Sequence, residues 1–242
     1  MANEIKQVSG VPQSTTYGTP GAEQIVDATF GAARVSLKPN DYMGVGVIGG
    51  HYMLSAQSGA LTGVAAAGPV FSFRWAPGQG APPYALIKKV QIAAVITTGF
   101  TAAQAVDFDL VLARSFTSSD TGGSALTPFT GNSQKMRAGL MSTSALTDCR
   151  IATTAALAAG TRTLDSSALT SAPIVFPLTT ATSGLGEGGG DAVDLFKEDA
   201  VAQHPLMLAV NEGFLIRVVT AMGAAGVIKL YVNVSWAEVP GL

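Results

Sequence analysis

The clearest pattern of hydrophobic and polar positions lies near the end of the chain. Apolar and polar side chains alternate between residues 226 and 238. The apolar set is Ile228, Leu230, Val232, Val234 and Trp236, and the opposite face carries Lys229, Tyr231, Asn233, Ser235 and Ala237. A period of two in β-branched and aromatic residues is typical of a strand with one buried face. A second apolar run, residues 213–220, precedes this strand, and the segment 222–226 between them contains glycines typical of a turn. The sequence therefore predicts that the two runs pair as a β-hairpin within a larger sheet.

Three segments in the first half of the chain are also predicted to be strands. Residues 70–75 and 106–116 alternate between apolar and polar side chains. Residues 86–96 are apolar on both faces in their second half, which predicts a central position in a sheet. The expected inward side chains of the two alternating segments are Phe71, Phe73, Trp75, Val106, Phe108, Leu110 and Leu112.

The second half of the chain has weaker patterns before its closing strands. Residues 150–154 are predicted to form a short strand. Residues 174–178 are predicted to form an edge strand, because Pro177 has no N–H to donate to a ladder. Residues 191–203 are the best candidate for a helix, which His204 and the proline after it would end.

The first part of the chain lacks a clear period. Residues 1–24 are polar and rich in turn-forming residues, and two interpretations stay open: a disordered tail, or an extended arm that orders on a neighbouring subunit. In residues 25–69 only Tyr42–Ile48 has a strand pattern, and the rest is either loop or a short helix. Residues 134–141 could likewise form one or two helical turns.

Spaced strands with few long helices are typical of one fold class. We expect an all-β protein: an antiparallel β-sandwich of jelly-roll type with long loops rich in Ser, Thr, Ala and Gly. Residues 25–242 would form this single domain, and residues 1–24 an extended N-terminal arm.

The composition indicates that much of the surface is covered. Hydrophobic residues make up 48% of the 242-residue chain and charged residues only 12%, about half the charged fraction of an average globular protein. Either other subunits hide much of the surface, or Ser, Thr, Gly and Ala cover it. We favour the first interpretation, because obligate interfaces are poorer in charge than free surface.

The charge distribution argues against nucleic-acid and membrane partners. The formal net charge is −2, and Lys88-Lys89 is the only adjacent pair of basic residues, whereas a nucleic-acid-binding surface needs clustered basic side chains. Residues 42–73 carry no charged side chain, but glycines and polar residues interrupt them. We therefore expect no transmembrane span.

Two patterns could indicate a cofactor or a metal. Gly44–Gly49 matches the glycine pattern of dinucleotide-binding sites, but no Asp or Glu follows it before Asp107 to bind the ribose. The two histidines, His51 and His204, and the single cysteine, Cys149, do not have the spacing of a zinc site. The cysteine is predicted to be an ordinary thiol in a polar segment, and one cysteine cannot form an internal disulfide.

Acidic residues form two groups that could carry chemistry. Asp107 and Asp109 are predicted to lie on one strand face, about 7 Å apart along the strand, and paired carboxylates can act in acid–base catalysis or bind calcium. The outward acidic face of an amphipathic strand is the simpler interpretation, which we favour. The acidic residues within 187–199 lack EF-hand spacing. The sequence therefore predicts no catalytic residue, no metal ligand, no cofactor-binding residue and no enzymatic activity.

A resemblance gives the more specific indication of function. It rests on Phe73-Arg-Trp75 and on the segments 108–116, 150–157, 160–164, 211–217 and 234–238. In these segments the chain resembles structural proteins of tailed bacteriophages, over roughly residues 70–238. The resemblance implies a β-sandwich or jelly-roll module on the outside of the particle, without catalytic residues.

Two functional hypotheses follow. The first is a capsid decoration or cement protein, assembled into the virion in the bacterial host cytoplasm, that oligomerises, binds the major capsid protein or other virion proteins, and stabilises the head shell. The alternative is a tail or head fibre module that binds a host receptor or a carbohydrate, with Tyr42, Tyr52 or Tyr84 stacking on sugar rings. The simpler interpretation of these tyrosines as strand-end or core residues is the one we favour.

Overall fold

The computed structural model describes residues 50–102, 104–126, 133–135, 143–176, 192–198 and 206–239. The expected arm of residues 1–24 and the expected strand Tyr42–Ile48 lie outside these ranges. The described residues form strands and contain no helix. The strands are β1 His51–Gln57, β2 Leu61–Thr62, β3 Pro69–Trp75, β4 Tyr84–Thr98, β5 Gln104–Arg114, β6 Ser124–Ala125, β7 Ser133–Lys135, β8 Asp148–Ile151, β9 Thr163–Leu164, β10 Thr170–Phe176, β11 Val193–Lys197, β12 Leu206–Leu208, β13 Glu212–Val218 and β14 Val227–Val239.

The strands form two antiparallel sheets. The first has the order β11-β4-β14-β1-β7, with β12 paired to β4 and β2 paired to β14. The second has the order β10-β5-β13-β3-β8-β6, with β9 paired to β5. The sheets pack face to face: Phe73 of the second sheet contacts Trp236 of the first with ring centroids 5.5 Å apart. The predicted all-β antiparallel sandwich is confirmed.

β14 occupies the centre of the first sheet, between β4 and β1. The five side chains that the alternation places inward are fully buried: Ile228, Leu230, Val232, Val234 and Trp236. The aromatic rings of the core meet around the last of these. Tyr52 stacks on Trp236, and Phe73 stacks on Phe214 of β13 at 5.1 Å.

The predicted hairpin between residues 213–220 and β14 is wrong. The first run is β13, which pairs with β3 and β5 in the opposite sheet. Phe214, Leu215 and Ile216 are all buried, so β13 is covered on both faces, as a continuous apolar run allows. Residues 219–226 are long enough to cross between the sheets, whereas a tight hairpin needs only two residues.

The predicted helix 191–203 is also wrong where the structure describes it. Residues 193–197 form β11, an edge strand antiparallel to β4. Leu195 and Phe196 are buried, and pairing with β4 gives the backbone partners that outweigh the local preference for a helix. Residues 199–203 lie outside the described part of the chain.

The structure contains a strand where the sequence predicts loop or helix. In β1 the side chains of Tyr52, Leu54 and Ala56 alternate as inward residues. This period of two is short, and glycines precede it. Of the expected helical turns at 134–141, the structure describes only the beginning, which belongs to β7 and pairs with β1.

The other predicted strands are confirmed as β3, β4, β5 and β10, and the strand predicted at 150–154 overlaps β8 only at its first two residues. β10 is an edge strand, as predicted, and Pro173 lies opposite Asp107 on β5. The carbonyl of Asp107 accepts a hydrogen bond from Val219 N on its other side. The backbone nitrogen of Pro173 therefore faces the free edge, where a missing N–H discourages pairing with another chain.

Candidate interaction surfaces

The two aspartates of β5 differ in their surroundings. Both lie on the outer side of the second sheet, as predicted, but Asp109 is only 7% exposed. Its Oδ2 accepts a hydrogen bond of 3.3 Å from Nη2 of Arg217. Because this arginine neutralises Asp109, the carboxylate has a structural partner. Asp107 is half-buried.

The other residues considered as ligands do not converge either. Cys149 points into the core, which corrects the expectation of a thiol in a polar segment, and burial raises the pKa of this thiol. Asp194 and Glu198 pair with Lys89 at 3.0 Å and Lys88 at 2.6 Å. No group of three or more His, Cys, Asp or Glu side chains in the described residues could hold a metal ion. Gly44–Gly49, His204 and Tyr42 lie outside the described residues, and His51 begins β1.

Of the three tyrosines expected to stack on sugar rings, Tyr52 is not accessible to a ligand. Tyr52 is buried against Trp236 at 5.7 Å, and burial, together with the charge of Glu238, raises the pKa of Tyr52 to about 12. Tyr84 is half-buried. Tyr231 is more exposed than either of these tyrosines. The sequence could have identified it, because Tyr231 lies on the polar face of the alternating pattern of β14.

The outer face of the second sheet is covered by the chain's own loops. Phe116, Ala113 and Leu215 form a small buried cluster there, with Leu164 packed against it. The loop that holds Phe116 is tied to the loop before β9, because Thr117 N donates to the carbonyl of Thr161 at 2.9 Å. The part of this face around Phe116 is therefore occupied internally.

Arginine side chains hold these loops through internal ion pairs. Arg74 donates to Asp148 at 3.2 Å and to the side chain of Asn211 at 3.1 Å. Arg162 pairs with the fully buried Asp120. The guanidinium groups of Arg74 and Arg162 lie 5.9 Å and 5.4 Å from the ring centroid of Phe116. These contacts connect residues that are distant in the sequence and so organise the loops.

A buried carboxylate lies at the end of β14. Glu238 accepts hydrogen bonds from Ser144 Oγ at 2.6 Å, Ala145 N at 3.0 Å and Trp236 Nε1 at 3.1 Å. Burial raises the pKa of Glu238, and these three donors offset part of that rise. The group fixes residues 144–146 to the sheet and has its acceptor sites filled by the protein, as a structural carboxylate does.

The outer face of the first sheet is accessible. We name as the open face the outward side chains of β1, β14 and β4, all exposed or half-buried: Met53, Ser55, Gln57, Gln91, Ala93, Lys229, Tyr231, Asn233 and Ser235. Asn233 lies opposite Ser55 on one side and Gln91 on the other. The face therefore has a polar middle.

One end of the sandwich gathers both ends of the described chain. The N–H of Glu238 donates to the carbonyl of Gly50 at 3.0 Å, so β1 begins where β14 ends. The indole of Trp75, at the end of β3, donates to the carbonyl of Pro83, just before β4, at 3.2 Å. Both sheets therefore contribute to this end, which we name the entry end.

The entry end also carries exposed apolar side chains. Met207 lies opposite Leu86 on the neighbouring β4. Val210 lies in a turn. The next residue, Asn211, donates its N–H to the carbonyl of Trp75 at the end of β3, at 2.7 Å. Met207 and Val210 are 46% and 47% exposed, more than any other large apolar side chain in the described residues. A partner protein that covered these two side chains would remove their apolar surface from water.

The chain was compared with protein-family models, curated proteins and solved structures, and no match was found in any of the three. The described residues include no helix with the length and apolar character that crossing a membrane requires.

Proposed function

We propose that this chain is a non-enzymatic structural protein of a tailed-bacteriophage virion, a capsid decoration or cement protein that oligomerises and stabilises the head shell. The observation that carries the proposal is the entry end, where Met207 and Val210 are the most exposed large apolar side chains of the described residues. The resemblance to phage structural proteins and the charged fraction of 12% support the same function. The protein would act in the virion, after assembly in the bacterial host cytoplasm.

The partners in this proposal are further copies of the chain and the major capsid protein. A stable contact buries about 800 Å² on each partner, which is more than two side chains provide. The arm expected from the sequence, residues 1–24, would supply further contact area on a neighbouring subunit. Repetition by symmetry then makes individually weak contacts sufficient.

We also propose that the sandwich is a jelly roll. Its longer strands occur in the sequence as β1, β3, β4, β5, β10, β11, β13 and β14. In space, β1, β14, β4 and β11 are consecutive in the first sheet, and β3, β13, β5 and β10 are consecutive in the second. The chain passes from sheet to sheet at every step except from β5 to β10. This order supports two interleaved Greek keys, an arrangement found in viral capsid domains.

The test is attachment of purified protein to particles that lack it. Met207→Asp combined with Val210→Asp places two charges at the entry end without disturbing the core. We expect the particle-bound fraction to fall at least tenfold, a loss of about 1.4 kcal/mol.

The matched control is Leu169→Asp combined with Val219→Asp. These apolar residues are 43% and 38% exposed; Leu169 directly precedes β10, and Val219 directly follows β13. The control variant should attach like the unmodified protein. Equal attachment of both variants, or an unmodified protein that stays monomeric and never sediments with particles, would exclude the proposal.

A further inference from the structure

A row of hydrogen-bonding side chains crosses the open face at right angles to its strands. Asn233 of β14 lies opposite Ser55 of β1 on one side and Gln91 of β4 on the other. Gln91 in turn lies opposite Asp194 of β11. Adjacent strands are about 4.8 Å apart, so the row offers one polar side chain at each such interval across four strands.

An exposed aromatic ring lies beside this row. Tyr231 is two residues from Asn233 on β14, so the two side chains are on the same face. Its side chain is 38% exposed, and its hydroxyl accepts a hydrogen bond of 3.0 Å from Nε2 of Gln57 on β1. This bond orients the ring, which therefore loses little conformational freedom when a ligand binds.

The one charged side chain of the row, Asp194, is neutralised by a neighbouring lysine. Gln91 Nε2 donates to Asp194 Oδ1 at 2.9 Å, and Lys89 pairs with the same oxygen at 3.0 Å. The groups that remain for a ligand include the amide of Asn233 and the hydroxyl of Ser55, which both donate and accept hydrogen bonds. Lys229 is one outward position beyond Tyr231 and adds a single positive charge near the site.

We propose that Ser55, Asn233, Gln91 and Tyr231 form a binding site for a neutral oligosaccharide that lies across the strands of the open face. The strand spacing is close to the length of one pyranose residue in a linear glycan, so successive sugars meet successive strands. Amide and hydroxyl side chains bind neighbouring sugar hydroxyls through both donors and acceptors. The apolar face of one sugar packs on Tyr231.

The arrangement favours a glycan over other occupants. A protein interface has an apolar centre surrounded by a polar rim, whereas here the polar row runs through the middle of the face. A nucleic acid or a strongly acidic glycan needs several unpaired cations, whereas Lys89 is already paired with Asp194. A neutral ligand rich in hydroxyl groups fits this chemistry.

The inference is independent of the proposed assembly role. Residues that attach the protein to a particle would lie at the entry end, and Tyr231 is several residues away from it along β14, which ends at Val239. A decoration protein anchored at one end could therefore bind a glycan on this face. The two functions can be measured separately in the same variants.

The experiment measures the full-length protein on an array of neutral and acidic oligosaccharides. The protein is displayed in many copies on a bead, because multivalent display raises weak binding about 100-fold or more. We expect retention on a subset of neutral glycans, and Tyr231→Ala and Asn233→Ala should each lower it about tenfold. Tyr231→Phe keeps the ring but removes the hydrogen bond with Gln57, so it should lower glycan retention less than Tyr231→Ala does.

Val219→Ala is the matched control, because Val219 has the same exposed fraction, 38%, but follows β13 of the other sheet. Thermal unfolding of each variant establishes that it is folded. The inference is overturned if no neutral glycan is retained, if acidic glycans are preferred, or if both open-face variants bind like Val219→Ala. It is also overturned if Tyr231→Ala lowers particle attachment while leaving glycan binding intact, since the occupant would then be a protein.

Discussion

Ser144 donates a hydrogen bond of 2.6 Å to the carboxylate of Glu238, although the two residues are 94 positions apart in the sequence. Ala145 N and the indole of Trp236 donate to the same carboxylate. One side chain at the end of β14 therefore holds a distant loop segment and orients a core tryptophan. The alternation places Glu238 on the same face as Trp236, but a period of two does not identify the distant donors that this carboxylate binds.

Replacing Glu238 with alanine should destabilise the protein by about 3 kcal/mol. The substitution removes the acceptor of two buried donors, Ser144 Oγ and Trp236 Nε1, and of the half-buried N–H of Ala145. Each buried donor without an acceptor costs about 1–3 kcal/mol. Local relaxation recovers part of this total. Urea unfolding measures the change. Glu238→Gln keeps one acceptor oxygen and should cost less, so equal losses for the two variants would contradict this role of the carboxylate.

The same group should make stability depend on pH in a defined direction. Burial raises the pKa of Glu238 above the ordinary value of 4.5. The folded protein therefore binds this proton more tightly than the unfolded chain does. The resulting stabilisation is fully present below the unfolded pKa and is lost as pH rises through the folded pKa.

The pH effect is measured by unfolding the protein and its Glu238→Gln variant at a series of pH values above 4.5. The variant cannot titrate at this position, so the difference between the two unfolding free energies isolates the carboxyl group. We expect the unmodified protein to lose stability relative to the variant as pH rises. A difference that is constant or changes in the opposite direction would rule out the raised pKa.

The alternation in β14 implies a sharp contrast between neighbouring residues. Leu230 is fully buried, and Leu230→Ala should cost about 2–5 kcal/mol because it removes core contacts and leaves a cavity. Lys229 faces outward and is half-buried, so Lys229→Ala should change the unfolding free energy by no more than about 0.5 kcal/mol. Similar losses in the two variants, measured by urea unfolding, would contradict the assignment of faces.

The sequence predicted individual strands better than their partners. A period of two depends only on which side of a strand is buried, so β3, β5 and β14 could be read directly. Partner choice depends on contacts between distant segments, and the hairpin expectation failed because β13 pairs with β3 and β5. The helical expectation at 191–203 failed for the same reason, since pairing with β4 decides the structure of β11.

The open face could be predicted only in part. The sequence placed Tyr231 and Asn233 on the polar side of β14, and the structure confirms that position. It did not show that Ser55 and Gln91 lie beside Asn233, because that depends on the register of three strands. Tyr52 was a plausible exposed aromatic residue until its alternation with Leu54 and Ala56 was recognised as the inward face of β1.

The ion pair between Arg162 and Asp120 should be the most sensitive charged pair in the loops. Asp120 is fully buried, and Gly160 N donates to its Oδ1 at 2.8 Å. Arg162→Met leaves this carboxylate without its counter-charge, and breaking a buried pair costs about 3–5 kcal/mol. Adding Asp120→Asn removes the unpaired charge and keeps an acceptor for Gly160, so the double variant should recover part of the loss.

Arg114 provides the matched control for this pair. It also binds carboxylates, Glu212 at 2.8 Å and Asp165 at 3.4 Å, but its side chain is 42% exposed. Solvent screens such pairs, so Arg114→Met should cost about 1 kcal/mol or less. Urea unfolding of all three variants measures these differences. A loss for Arg162→Met no larger than that for Arg114→Met, or a double variant less stable than Arg162→Met alone, would show that Asp120 does not depend on Arg162 for its charge.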